Sequence, residues 1–348
     1  MRQAVLAIIL ATLGLGARGY EVENQRLFAA GPDSPVLRII STGDLDLFAP
    51  LVQAFQQENP DVAVDYTVAS SAAVYMAIAT EGAAFDLALS SAMDLQTKLA
   101  NDGLAQTYSS AATAALPDWA RWADRLFAFT QEPAVVLISR AGLGDLPVPK
   151  TRQDLIALLR DNPELFTGRV GTYDLRNSGL GYLFATQDAR QSDAYWRLAE
   201  VMGSLRPQLF CCTSDMINGI DSGALLVAYN VIGSYADARP SEEGSVIYMG
   251  DYTHVMLRTA LIPATAENPA LGGRFIEFLL SPSGRAAIRT HTGLPPIDGA
   301  TLAESPSFRP IPMGAGLLVY LDQMKRAAFL DEWIAAMVQP TSTNAQGQ

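Results

Sequence analysis

The chain has 348 residues, a formal net charge of −12 and 49% hydrophobic residues. It is long enough for two ordinary domains with real cores. Its acidity argues against nucleic acid or an anionic membrane surface as partner, since both select basic surfaces.

Residues 1–19 read as a cleaved secretory signal. Arg2 supplies a positive start, residues 4–16 an apolar run, and Ala17-Arg18-Gly19 the stretch before cleavage. The run is shorter than the about 20 residues of a spanning helix, so export to the periplasm is expected, with a mature chain from Tyr20. Residues 20–36, polar and carrying Gly31, Pro32 and Pro35, read as an exposed leader.

Residues 37–66 spell a βαβ unit. Leu37, Ile39 and Ile40 form a short strand. Ser41, Thr42, Gly43 and Asp44 make a polar loop, and Phe48, Leu51, Val52 and Phe55 recur at helical spacing. Asn59-Pro60 stops that helix, and Val62, Val64 and Tyr66 form a second strand. In open α/β sheets ligands sit at the carboxyl ends of strands, where helix amino termini favour anionic or strongly polar groups. Two similar loops follow. Ser70-Ser71 cap a helix through Val74, Tyr75 and Ile78, and the strand 85–89 ends in Ser90-Ser91 before a helix over 93–99. Three hydroxyl-rich loops on successive units point to the lip of one crevice.

Residues 127–139 form a long apolar strand, interrupted by Thr130-Gln131-Glu132, of the length that crosses between domains. A second α/β pattern follows. Thr151 and Asp154 open a helix as a capping-box variant, 169–173 is a strand, and residues 174–178 lead into the helix that begins Gly179-Leu180-Gly181-Tyr182. The glycine spacing is not a dinucleotide fingerprint. A helix over 192–202, a buried strand within 224–235 and a long extended stretch over 246–263, read as the return crossing, come next. Asn268-Pro269 and Ser281-Pro282 then open two helices, and a last one carries Leu321, Met324, Ala328 and Trp333.

The order of these segments resembles the extracytoplasmic solute-binding proteins of ABC transporters, of the type II kind, in the branch of ferric-ion and phosphorylated-sugar binders. LRIISTGD with Phe55, Asn59 and Pro60, FDLALSSAMD, TYDLRNSGLGY, LLVAYNVIGSY and ENPALGGRFIEFLLSPSG carry the resemblance, from Leu37 to Arg289. It implies an α/β fold of two lobes, each a mostly parallel sheet with flanking helices, joined by two crossing strands that act as a hinge. The expected division is a signal over 1–19, a leader over 20–36, lobe 1 over 37–129 and 248–300, lobe 2 over 130–247, a C-terminal helix region over 301–338 and a disordered tail over 339–348. The resemblance further implies a small-molecule ligand, permease and ATPase partners, and a monomer without cofactor.

Ser41, Thr42, Ser71, Ser90, Ser91, Ser178 and Gly179 then read as an oxyanion cradle, with Arg176 as a fork for carboxylate or phosphate and Asn230, Tyr235 and Tyr252 as readers of an organic ligand. Ferric binders of this branch use a tyrosine pair, usually adjacent. Here Tyr229 and Tyr235 are separated, which makes iron the less favoured ligand. The leading expectation is a periplasmic receptor for a small anionic organic solute, and the alternative is a ligand sensor docking on a membrane histidine kinase. An enzyme is disfavoured. The only histidines, His254 and His291, complete no Ser-His-Asp set and no metal-ligand cluster.

The only cysteines are the adjacent Cys211 and Cys212, which lack the gap of a thioredoxin-like motif and supply no disulfide framework. They are expected as two buried thiols, with a strained vicinal disulfide as the other possibility.

Overall fold

The computed structural model describes residues 19–238, 243–303 and 305–339. The first wing of the molecule is the βαβ unit and its neighbours. Strands β1 (Asn24–Phe28), β2 (Val36–Ser41), β3 (Ala63–Val68) and β4 (Leu87–Ser90) lie in the order β1-β3-β2-β4. β2 pairs in parallel with both β3 and β4. Ile39 and Ile40 point to opposite faces, yet both are fully buried, because helices cover the sheet on both sides. Phe48, Leu51, Val52 and Phe55 of helix Leu45–Glu58 are all buried, each contributing about 1.5–3 kcal/mol.

The stretch read as an exposed leader instead holds β1, antiparallel to β3, with Tyr20 and Phe28 in the core. Its first four residues stay exposed, so no apolar alternation marks it. An edge strand of this kind is held by backbone pairing.

Short β5 (Arg121–Trp122) pairs with the start of β6 (Leu126–Ser139), whose fourteen residues are all buried. From Phe127 to Pro133, β6 pairs with β11 (Thr253–Leu261), and from Ala134 to Ile138 it pairs with β9 (Val227–Ile232). One strand therefore serves both wings. β11, paired on its other side with β4, is the return crossing. The extended stretch over 246–263 is broken into β10 (Gly244–Ile247), antiparallel to β6, and β11, with Gly250 donating to the Lys150 carbonyl between them. In the second wing β9, β7 (Val170–Tyr173) and β8 (Gln208–Phe210) pair in parallel.

The polar interruption of β6 is a buried ion pair. Glu132 receives Arg258 of β11 through Nε at 3.0 Å and Nη2 at 3.3 Å, and hydroxyl bonds from Thr130 and Ser234. A second buried network ties helices Arg152–Asp161 and Gly179–Gln191 to β9 and β11. Arg152 donates to Asp188, Asp251, the Tyr229 hydroxyl and the Tyr252 carbonyl. Asp188 also accepts from Tyr229 and Asn230, and His254 Nε2 lies 3.4 Å away. Asn230 adopts a left-handed backbone, φ 62°, inside a strand, a conformation that this side chain tolerates better than most.

Near the C-terminus, β12 (Phe308–Pro310) pairs with β11, and the 3-10 turn Ala315–Leu321 packs on helix Met93–Asn101. The last helix, Gln323–Met337, buries Phe329, Trp333 and Met337 against helix Ala194–Ser204, while Met324, expected on its apolar face, is exposed. The expected signal lies outside the described residues but for Gly19, as does the tail but for Gln339.

Helix Met93–Asn101 carries a buried acid. Burial pushes the Asp94 carboxyl up to about 6, against backbone hydrogen bonds and the nearby Arg326. The folded chain therefore holds this proton more tightly than the unfolded one, and the stability tied to it is lost as pH rises from about 4 to about 6. Asp94→Asn is expected to raise stability at pH 7 by up to about 3 kcal/mol and to change little at pH 4. Thermal melts at the two pH values check this; an equal gain at both would sink the assignment.

Candidate functional site

A crevice of about 180 Å³ opens where the two wings meet, at the carboxyl ends of their strands. Three helices start on its wall: Ser71–Ala79 from the first wing, and Gly179–Gln191 and Thr213–Asp221 from the second. The first four N–H groups of a helix have no acceptor within it, so these starts bring positive partial charge to one place. The Ser70 hydroxyl accepts from Ala73 N–H and that of Ser178 from Gly181 N–H, each satisfying one of those groups. The wings come close here. A Cβ on Gly179 would lie 2.5 Å from Ser71 Oγ, so glycine lets the second wing reach the first.

Of the residues expected from sequence, Thr42, Ser71, Ser91, Ser178, Gly179 and Tyr235 line the crevice. Ser91 N–H donates to Thr42 Oγ1 at 3.1 Å, which joins two of the hydroxyl loops. Five others do not reach the wall. Ser41 and Ser90 are buried and accept from Gly43 N–H and Ala92 N–H, so they shape the turns beneath it. Arg176 is clamped on its own loop, with Nε and Nη2 on the Asp174 carboxylate at 2.8 and 2.7 Å. Asn230 is spent on Asp188, and Tyr252 stacks under the Arg152 guanidinium at 3.5 Å. The tyrosine pair considered for iron is divided. Tyr229 belongs to the Asp188 network, whereas Tyr235 faces the crevice.

Sequence reading missed the floor. Arg258 lines the crevice although it is only 1% exposed. Two of its nitrogens hold Glu132, and Nη1 finds no hydrogen-bond acceptor among the described residues. The Tyr235 phenol beside it is pushed up to about 12 by burial, against the pull of the guanidinium. Also missed were the acids at the rim, Glu23 and Asp44. Burial raises the Glu23 carboxyl above its ordinary value, and the charges of Asp44 and Glu21 add to this. Glu23 lay in the supposed leader, where nothing in its neighbours marks a crevice.

Cys211 and Cys212 are free and exposed, contrary to the expectation of buried thiols. They follow β8, which is the last strand of the sheet, so they emerge at the crevice rim and not in the core. Partial burial and the neighbouring Cys211 raise the Cys212 thiol well above its ordinary value.

Two α/β wings, two crossing strands and a crevice between them make the type II periplasmic binding protein fold. The chain belongs to the bacterial extracellular solute-binding proteins, whose family model matches residues 37–292. It is 33% identical to the substrate binding protein of the ABC transporter from Agrobacterium tumefaciens, over 91% of this chain and 99% of that one, with a TM-score of 0.86. AfuA from Actinobacillus pleuropneumoniae, solved with exogenous fructose-6-phosphate bound, shares the fold at 16% identity, TM-score 0.69, over 87% of this chain and 98% of that one. Iron-bound HitA from Pseudomonas aeruginosa shares it at 14%, TM-score 0.65, over 87% and 99%. Comparison with curated protein sequences gives no match. Proteins of this family bind small ligands and engage the permease of an ABC transporter.

Proposed function

We propose that this chain is a periplasmic receptor, exported by its N-terminal signal, that captures a small organic anion, phosphorylated or carboxylated, and delivers it as a monomer to an ABC permease with its ATPase. The carrying observation is the buried Arg258, whose Nη1 lacks an acceptor at the floor of a crevice on which three helix starts converge. A guanidinium N–H without an acceptor in a buried site leaves a strong donor unused, and a carboxylate or phosphate oxygen satisfies it. Helix-terminal N–H groups add to the same preference. The crevice volume of about 180 Å³ suits a metabolite smaller than a drug-sized ligand. Iron is the weaker reading, since Tyr229 is committed to Asp188, and Tyr173, the other tyrosine that lines the crevice with Tyr235, is tied to the Thr213 hydroxyl.

A thermal-shift panel tests this, with ligand-stripped protein against sugar phosphates, phosphonates, di- and tricarboxylates, neutral sugars, and ferric ion with a carrier anion. A ligand at 100 times its Kd adds about 2.7 kcal/mol, a rise of several degrees. The rise is expected with one organic anion; a rise with neutral sugars or iron alone would overturn the proposal.

A further inference from the structure

We propose that Cys211, Cys212 and Asp215 form a binding site for a thiophilic divalent cation, Zn²⁺ or its softer analogue Cd²⁺, on the second-wing wall of the crevice. The start of helix Thr213–Asp221 builds it. Cys212 is the residue before the first turn and Asp215 the third residue within it, the position from which a side chain turns back over the helix start. The Cys212 side chain makes no capping bond, so its sulfur is not committed to the helix. Cys211 Sγ lies 3.7 Å from Asp215 Oδ2. Both sulfurs and one carboxylate oxygen lie within 4.8 Å of one another.

A tetrahedral zinc ion with sulfur at about 2.3 Å and oxygen at about 2.0–2.2 Å sets its ligand atoms about 3.5–3.8 Å apart, within reach of small rotations of these side chains. Binding makes two metal–sulfur bonds and one metal–oxygen bond, and the two thiol protons pass to solvent. The set then carries one net negative charge, and the fourth position opens onto the crevice. Glu23 lines that same crevice from the first wing, anchored by its N–H on the Val68 carbonyl of β3, and its charge is felt at Cys212. Glu23 stands outside the three-residue set, and it takes the fourth position in place of water only where the two wings draw together. The two cysteines share the crevice with Arg258 and, with Asp215, sit at one of its three helix starts, but the metal site rests on the spacing of two sulfurs and a carboxylate and not on the anion reading.

The test is a Cd²⁺ titration of the full chain, purified and held under reducing conditions, followed by the ultraviolet charge-transfer band of cadmium thiolate and by the protons released. Because the chain has two cysteines in all, the band reports on this site alone. The expected result is one equivalent per chain, displacement by excess Zn²⁺, and about two protons released. Cys212→Ser should abolish the band, and Asp215→Asn should weaken binding at least tenfold. Glu23→Gln should weaken binding while leaving the band in place. A titration without a band, or affinity unchanged in Asp215→Asn, would overturn the proposal. Melting of each variant without metal separates loss of the site from loss of the fold.

Discussion

Asp188→Asn is expected to lower the stability of the chain by about 3–5 kcal/mol, the range for breaking a buried ion pair by neutralising one partner. Asp188 is fully buried and accepts from Arg152, Tyr229 and Asn230, and the substitution leaves the Arg152 guanidinium with Asp251 as its remaining carboxylate. Although burial opposes it, Arg152 first and then His254 and Asn230 hold the Asp188 carboxyl far below the usual range. A depressed carboxylate contributes stability that is fully present above the unfolded value of about 3.9 and is lost as pH falls below it. The denaturation midpoints of parent and variant should therefore stand apart at pH 7 and draw together only progressively as pH falls below about 4. Equal midpoints at pH 7 would mean that the network costs as much in desolvation as it returns.

The largest effect on binding is expected from Arg258. Arg258→Met alone strands Glu132 in the core, so the informative variant is the pair Arg258→Met with Glu132→Gln, in which the introduced amide keeps partners in the Thr130 and Ser234 hydroxyls. This double variant should fold and melt near the parent temperature, because replacing a buried pair by neutral groups is often close to neutral. Its affinity for the organic anion found by the panel should fall by about 10- to 150-fold, equivalent to a charge-assisted hydrogen bond of about 1.5–3 kcal/mol. Calorimetry on the two proteins reads this directly. Unchanged affinity would place the anion elsewhere in the crevice and leave Arg258 a structural ion.

Much of the frame was legible because local rules and tertiary packing agree. The Thr151–Asp154 capping box forms as read. The N-P breaks after Phe55 and at Asn268 fall at helix ends. The family motifs explain themselves as brackets. Arg274 of ENPALGGRF holds Asn59 at 2.6 Å, and Asp86 of FDLALSS accepts both Arg38 N–H and Asn268 N–H.

The site was legible only in part. A hydroxyl loop announces a helix start, but spacing does not tell Ser71, which faces the crevice, from Ser90, which bonds its own turn. Arg176 stood in the right loop, yet Asp174 two residues away takes its guanidinium. Arg258 sat in an apolar stretch whose two faces are both buried, so alternation carried no sign of which way it points. Glu23 needed knowledge of β1, a strand with no apolar pattern to reveal it.

The C-terminal segment also constrains how the wings can move. It leaves β12 beside a crossing strand, lays residues 315–321 against helix Met93–Asn101, and ends on helix Ala194–Ser204, with Tyr182 Oη donating to the Tyr320 carbonyl at 2.6 Å. Two adjacent strands make a ribbon that bends and twists. A third link, set to one side of that ribbon, opposes the twist and leaves the bend. Relative motion of the wings is therefore expected to approach a single degree of freedom, a door and not a ball joint. If, as proposed, a solute draws the two walls together, fewer orientations are given up and less of its contact energy is consumed in aligning them.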